Sequence, residues 1–164
     1  MAKTEHHDLV LERTLDAPCD LVWRAWTDPE HLRKWWAPKP YETIECEIDL
    51  RPGGAFHTRM IGPDNFDEPG SACFLEIVPH EKIVWTSALG PGFQPNTPEN
   101  CGGLAFTAIV TFEATGDGRT RYKLVAMYKD QSDRDTLEAM GFHEGWGTVT
   151  GQLEEVAQQL GETV

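Results

Sequence analysis

Four of the six tryptophans in this chain lie within fourteen residues, at Trp23, Trp26, Trp35 and Trp36. The segment around them, residues 15–38, predicts two short helices, because Asp16 can cap the first and Asp28 can cap the second. Pro29 then occupies the first position of the second helix, where its missing N–H costs nothing. Each tryptophan has a large area to bury. The segment is therefore either a lid over a wide space or part of an ordinary core.

The charge composition excludes several classes of partner. The 164 residues include 14 Lys and Arg against 27 Asp and Glu, which gives a net charge of −13. Nucleic acids and anionic membrane surfaces require clustered cations, so we expect binding to neither. No apolar stretch approaches the roughly 20 residues that cross a bilayer, and the first residues do not resemble a signal peptide. We expect one cytoplasmic domain, residues 1–164, with its core at about 9–160.

The cysteines and histidines do not predict a metal site. The four cysteines are widely spaced and form no Cys-x-x-Cys pair. No two of the six histidines are four residues apart, as they would be in a helical metal-binding pair. We expect reduced cysteines, no metal and no cofactor.

Alternation of apolar and polar residues predicts seven strands. They span residues 9–15, 43–50, 55–60, 71–78, 82–87, 104–113 and 119–128. Two stretches rich in Gly and Pro, residues 61–70 and 89–103, are expected to be loops. A loop as long as the second is usually functional or mobile. We place it, together with Trp35 and Trp36, at the entrance of a cavity.

The C-terminal segment predicts one long helix that begins at a Ser132 cap. Its apolar stripe has helical spacing and would lie along the sheet. The stripe consists of Phe142, Trp146, Val149, Leu153, Val156 and Leu160. Glycines interrupt this helix, each at a cost of roughly 0.5–1 kcal/mol relative to alanine; they are Gly141, Gly145, Gly147 and Gly151. They allow either a close approach of the helix backbone to the sheet or room for a ligand.

Short motifs occur in a defined order along most of the chain. They are Arg13-Thr-Leu-Asp-Ala-Pro18, Val22-Trp23, Ala25-Trp26-Thr-Asp-Pro-Glu30, Trp35-Trp36-x-Pro38, Asp49-x-Arg-x-Gly-Gly54, Glu76-Ile-Val-Pro79 and His143-Glu-Gly-Trp146. Together they resemble the family of bacterial proteins similar to the C-terminal domain of the activator of Hsp90 ATPase. That family lies within the START and Bet v 1-like (SRPBCC) superfamily.

The resemblance implies the helix-grip fold, an α+β architecture. In this fold a curved seven-stranded antiparallel sheet wraps around a long C-terminal helix, two short helices follow the first strand, and a cavity lies between sheet and helix. The resemblance implies no single activity, because the superfamily includes lipid carriers, hormone receptors, aromatases, cyclases and cochaperone domains.

Large apolar residues and a few polar ones are candidates for the cavity wall. They are Trp26, Trp36, Phe56, Met60, Phe74, Trp85, Phe106, Tyr128, Met140, Phe142, His143 and Trp146. Such a wall suits a flat aromatic or otherwise hydrophobic small molecule, with His143 as the first candidate for a polar anchor.

Three functions remain open. The leading hypothesis is a binding protein without chemistry of its own, in stress response or sensing. The second is an enzyme of the cyclase or aromatase type that uses the same cavity for acid–base chemistry. The third is an interaction module for an Hsp90-type chaperone. The sequence also leaves open whether the chain forms a homodimer.

Overall fold

The computed structural model describes residues 6–97, 99 and 104–162. Along the chain the elements are β1 (His7–Leu15), α1 (Cys19–Thr27), α2 (Pro29–Leu32), β2 (Glu42–Ile48), β3 (Ala55–Gly62), β4 (Phe66–Val78), β5 (Lys82–Thr86), β6 (Leu89–Gly90), β7 (Gln94–Pro95), β8 (Thr107–Ala114), β9 (Thr120–Tyr128), α3 (Gln131–Ala139) and α4 (Phe142–Glu162). Within the described residues, seven strands form an antiparallel sheet in the order β1-β9-β8-β5-β4-β3-β2, and β6 pairs with β7.

Strand β9 shows how alternation builds the core. Its inward residues Tyr122, Leu124 and Ala126 are fully buried, whereas Arg121 and Lys123, which alternate with them, are exposed. Helix α4 adds a second set of buried side chains to the same cluster, among them Leu153, Val156 and Ala157. The sheet and the C-terminal helix thus share one hydrophobic core. This is the helix-grip architecture, and the predicted α+β fold class is confirmed.

The loop predicted at residues 61–70 is wrong for most of its length. Strands β3 and β4 continue through it and are paired as far as Gly62 and Phe66. Asp64 and Asn65 have φ values of 60° and 62°, and such a left-handed pair forms a tight hairpin turn. The polar composition of the segment is compatible with a strand because most of its residues are exposed, and on the outer face Asp67 pairs with Arg59 at 2.7 Å.

The C-terminal segment forms two helices, so the prediction of a single helix is wrong. Helix α3 is capped by Asp130, whose carboxylate accepts a hydrogen bond from the Asp133 N–H at 2.8 Å, and the predicted Ser132 cap is wrong. Gly141 has a φ of 97°, a left-handed conformation that ends a helix and that glycine adopts without steric cost. Every residue of the predicted apolar stripe nevertheless lies on α4.

The two caps predicted in the tryptophan-rich segment have different outcomes. The Asp28 cap is confirmed, because its Oδ1 accepts a hydrogen bond from the Glu30 N–H at 2.9 Å and Pro29 begins α2. The Asp16 cap is wrong, because α1 begins after Pro18 without a side-chain cap. The backbone N–H of Asp16 instead donates to the Glu154 carboxylate of α4 at 2.7 Å. Among the helices in the described ranges, none has the length and apolar character that a membrane crossing requires.

Candidate functional site

A pocket of about 200 Å³ opens on the inner face of strands β3 and β4. Its wall is mostly apolar and consists of Trp36, Phe56, Thr58, Met60, Glu68, Pro69, Gly70, Ser71, Ala72, Trp85, Ser87 and Phe106. The strand register explains where the space comes from. Gly70 lies opposite Thr58, and Ala72 lies opposite Phe56, so β4 presents very small side chains to the inner face.

A second pocket of about 280 Å³ lies where α3 meets α4. Its wall consists of Trp36, Pro38, Met60, Leu137, Met140, Gly141, Phe142, Gly145, Trp146 and Val149. A Cβ atom placed on Gly145 would meet no atom within 4 Å, so the space in front of this glycine is empty. Gly145 is helical, and its N–H donates to the Gly141 carbonyl at 2.8 Å.

The two pockets share Trp36 and Met60 as a common wall, and we call them together the groove. The Trp36 ring lies 5.2 Å from that of Phe56 and 5.5 Å from that of Trp146, measured between centroids. Small-molecule sites typically enclose about 300–1,000 Å³. Each pocket alone is smaller than this range.

The adjacent tryptophans 35 and 36 have different roles. Trp35 is fully buried, and its Nε1 donates a hydrogen bond to the Ala25 carbonyl of α1 at 2.9 Å. Trp36 is half-buried and borders both pockets. Residue Gln152 of α4 holds this segment in place, because its side-chain N–H groups donate to the carbonyls of Trp35 and Ala37 at 3.0 and 2.8 Å.

The structure places eight of the twelve predicted cavity residues on the wall of the groove. Those that line the first pocket are Trp36, Phe56, Met60, Trp85 and Phe106. Those that line the second are Trp36, Met60, Met140, Phe142 and Trp146. The other four, which line neither pocket, are Trp26, Phe74, Tyr128 and His143.

Three of these four residues are buried behind the wall. Trp26 and Phe74 have no exposed surface, and the Trp26 Nε1 donates a hydrogen bond to the Tyr122 hydroxyl at 3.1 Å. Tyr128 packs beside Phe106, with ring centroids 5.9 Å apart, and burial raises its pKa to about 12. These side chains support the wall of the groove from behind.

His143 lies on the outer surface and lines neither pocket. Its side chain is 52% exposed, and its Nε2 lies 3.3 Å from the Glu138 carboxylate of α3. Arg134 also binds this carboxylate, at 3.1 Å. The hydrogen bonds from Arg134 and then from His143 lower the pKa of Glu138. In this arrangement His143 contributes to the junction between α3 and α4.

The polar residues of the groove are absent from the sequence-based candidates. They are Thr58, Glu68, Ser71 and Ser87. Thr58 could have been identified, because it alternates with Phe56 and Met60 on one face of β3. Glu68 could not, because its segment reads as a polar loop. Only the pairing of β3 with β4 places Glu68 opposite Met60 on the inner face.

Part of the segment 89–103 lies next to the first pocket. The Asn96 side chain donates hydrogen bonds to the carbonyls of Ser71 and Ser87, at 2.7 and 3.1 Å. The β6–β7 hairpin is thereby tied to two residues of the pocket wall. The prediction that this segment flanks the entrance also covers residues 98 and 100–103, which lie outside the described residues.

The described residues hold no group of three or more His, Cys, Asp and Glu side chains arranged to bind a metal ion. Three described cysteines, Cys19, Cys46 and Cys73, are free thiols. Burial is the main reason that the pKa of Cys46 rises to about 12. This thiol therefore stays protonated at neutral pH and is a poor nucleophile.

Comparisons with known proteins agree with the fold described above. The sequence profile of the family described as activator of Hsp90 ATPase homolog 1-like protein matches residues 16–158. A protein of known structure from Nitrosomonas europaea is 44% identical to this chain, with a TM-score of 0.88; the match covers 94% of this chain and 96% of the other. No curated protein matches the chain.

More distant structures share the fold. A crystal structure of a Mycobacterium smegmatis protein is 25% identical, with a TM-score of 0.74, and the match covers 93% of this chain and 95% of the other. An AHSA1-like protein from Aeromonas hydrophila is 16% identical, with a TM-score of 0.69, and the match covers 94% of each chain. The second similarity shows the fold alone.

Proposed function

This chain belongs to the family of activator of Hsp90 ATPase homolog 1-like proteins, and we propose that it binds a small hydrophobic or aromatic molecule in the groove. The observation that carries this proposal is the arrangement of the two pockets. Both are lined mainly by apolar side chains, and Trp36 and Met60 form a wall common to both. Ligand sites are typically apolar clefts with a few polar groups that orient the ligand.

Aromatic rings support the proposal by their position in the groove. Trp36, Trp85 and Phe106 lie on the first pocket, and Phe142 and Trp146 lie on the second. A planar aromatic ligand can pack against these rings in the edge-to-face or offset arrangements that aromatic side chains adopt with one another. The helix glycine Gly145 supports the proposal independently, because its missing side chain leaves part of the second pocket open.

A binding experiment with a matched pair of variants tests the proposal. Planar apolar compounds should change the tryptophan fluorescence of the native protein, since Trp36 and Trp146 border the pockets, and should raise its melting temperature by mass action. In Gly145→Leu the new side chain fills the second pocket, and both responses should be lost. Gly151→Leu is the control, because Gly151 is an exposed glycine of the same helix and has equally empty surroundings.

Two results would contradict the proposal. One is the absence of any response from the native protein to a broad panel of planar apolar compounds. The other is an equal response from Gly145→Leu and the native protein, which would place the ligand elsewhere. Circular dichroism of both variants would verify that each still folds.

An enzyme that uses the same groove is a second candidate, and Glu68 is the observation that favours it. A carboxylate on the wall of an apolar pocket can transfer a proton during acid–base catalysis. Under this alternative, Glu68→Gln would still bind the compound but would no longer convert it, as followed by mass spectrometry of the compound after incubation. A compound recovered unchanged from the native protein would contradict the enzymatic alternative.

A role in stress response or sensing, in the cytoplasm, completes the leading proposal. In such a role the bound molecule would act as the signal. Activation of an Hsp90-type ATPase is named in the description of the family. For this chain, the hypothesis of chaperone activation rests on that description alone. It would be tested by measuring whether the protein stimulates ATP hydrolysis by a purified Hsp90-type chaperone.

A further inference from the structure

The groove carries a single charged side chain, Glu68, among the described residues that line its two pockets. Strand register places Glu68 directly opposite Met60, and both residues belong to the wall of the first pocket. The other residues on this face of β3 and β4 are small or apolar. Glu68 itself is exposed, so its carboxylate stays hydrated and needs no partner within the protein.

The Glu68 carboxylate has no hydrogen-bond or ion-pair partner among the described residues. Its neighbour Asp67 faces the outer side of the sheet, where Arg59 binds both carboxylate oxygens, at 2.9 and 2.7 Å. Glu45 on β2 also lies near this arginine, at 3.7 Å. The nearby cation is thus held on the outer face, and the acceptor capacity of Glu68 remains available to a ligand.

The polar wall around Glu68 consists of hydroxyl groups rather than cations. The Ser87 hydroxyl already has a hydrogen-bond partner, since its Oγ accepts a hydrogen bond from the Phe106 N–H at 3.0 Å. The Thr58 hydroxyl has no partner among the described residues and lies on the same face of the sheet as Glu68. A carboxylate and a free hydroxyl together suit a ligand group that donates hydrogen bonds.

The aromatic residues of the first pocket favour the same kind of ligand. The faces of Trp36, Trp85 and Phe106 attract a cation through the ring quadrupole. The net charge of −13 favours the approach of a cation and opposes that of an anion.

We propose that the groove selects a planar hydrophobic molecule that carries a protonated amine, with the amine at Glu68 and the ring system towards Trp36 and the second pocket. This inference rests on the proposed function, since it names the chemical class of the molecule that the groove binds. It also states what the groove rejects. The carboxylate of a fatty acid or aromatic acid would face Glu68 without a compensating cation.

Three probes with the same ring system test this selectivity. They are 1-naphthylmethylamine, 1-naphthylmethanol and 1-naphthoate, which are cationic, neutral and anionic at neutral pH. Calorimetric titration of the native protein at low ionic strength should show the amine binding about two- to fivefold more tightly than the alcohol, the gain expected for a partly exposed ion pair. The naphthoate should bind more weakly than the alcohol.

Two variants identify the source of the preference. In Glu68→Gln the amine and the alcohol should bind equally, while the affinity for the alcohol should stay within twofold of the native value. Glu47→Gln removes the same charge from an exposed position on β2 that lines neither pocket of the groove, and it should keep the native preference.

The outcomes separate this inference from the function on which it rests. If the alcohol binds but the amine has no advantage, the inference is overturned and the binding function stands. If Glu47→Gln weakens the amine as much as Glu68→Gln does, the preference comes from the net charge, and the role of Glu68 is overturned. If none of the three probes binds, both proposals fail.

Discussion

The inner face of the sheet has a closed half and an open half. In the closed half, strands β1, β8 and β9 pack against α1 and the C-terminal part of α4. Tyr122, Leu124 and Leu153 have no exposed surface there. In the open half, strands β3 and β4 face the first turns of α4, and Thr58 and Met60 are only partly buried.

Side-chain size accounts for the difference between the halves. On the closed half, large residues of the sheet and the helix fill the space between them. On the open half, Gly70 and Ala72 of β4 and Gly145 of α4 leave it empty. Because Phe56 and Met60 of β3 alternate with polar residues as the inward residues of β9 do, the hydrophobic pattern sets which of these side chains face inward, and side-chain volume sets whether a pocket forms.

The largest expected effect is a difference in the cost of truncating one side chain in each half. Leu153→Ala should lower the free energy of unfolding by about 2–5 kcal/mol, because it leaves a cavity in a packed core. Met60→Ala should lower it by less than about 1 kcal/mol, because Met60 already borders open space. Chemical denaturation of both variants measures the difference, and equal costs would remove the distinction between the halves.

A smaller effect is expected at the buried hydrogen bond of the closed half. Tyr122→Phe removes the acceptor of the Trp26 Nε1–H, which is fully buried and would lose its partner. The free energy of unfolding should fall by about 1–3 kcal/mol. Tyr128→Phe is the control, since no hydrogen bond from its hydroxyl to another described residue is present. Equal destabilisation of both variants would argue against a role for the hydrogen bond.

Replacing glycine by alanine in α4 should stabilise the protein. Gly145→Ala and Gly151→Ala each remove backbone freedom from the unfolded chain, and neither new Cβ meets an atom within 4 Å. Each should raise the free energy of unfolding by roughly 0.5–1 kcal/mol. Only Gly145→Ala should reduce the affinity for a planar ligand. A destabilised Gly145→Ala protein would show that this part of the groove is filled.

The smallest expected effect is a loss of stability at alkaline pH. Burial raises the pKa of Tyr122, and it raises that of Tyr128 to about 12, whereas an unfolded tyrosine ionises near pH 10. The unfolded state therefore loses protons first. Stability from these groups is complete below about pH 10 and falls as the pH rises towards their folded-state pKa values.

Denaturation between pH 8 and 11 would measure this slope. It should be shallower in both Tyr122→Phe and Tyr128→Phe than in the native protein, because each substitution removes one group that ionises first in the unfolded state. A slope that neither substitution changes would assign the alkaline loss to other groups.

Much of the fold could be predicted from the sequence because its signals are local. Period-two alternation identified the strands of the sheet, and helical spacing identified the buried stripe of α4. The glycine pair of the Asp49-x-Arg-x-Gly-Gly54 motif also has a local reason. Gly53 has a φ of 81°, and a Cβ on Gly54 would overlap the carbonyl oxygen of Asp49.

Two errors in the predicted elements arose where a contact with another segment overrides local composition. The polar residues 66–70 are strand because β3 supplies hydrogen-bond partners for their backbone. Asp16 does not cap α1, because its N–H binds Glu154 on a helix that is distant in the sequence. The contact between Asp16 and Glu154 is not visible in a short window of residues.

The sequence was sufficient to establish the order of elements, the inward-facing residues and an aromatic surface rich in tryptophan, since each depends on residue type and spacing along one chain segment. Only the tertiary structure could show that Trp35 is buried whereas Trp36 borders the groove. It also showed that His143 lies outside the groove and that Glu68 lies on its wall. Each of these outcomes depends on which segments pack together across the fold. A cavity is the volume that packing leaves unfilled, so it belongs to the assembled elements rather than to any one of them.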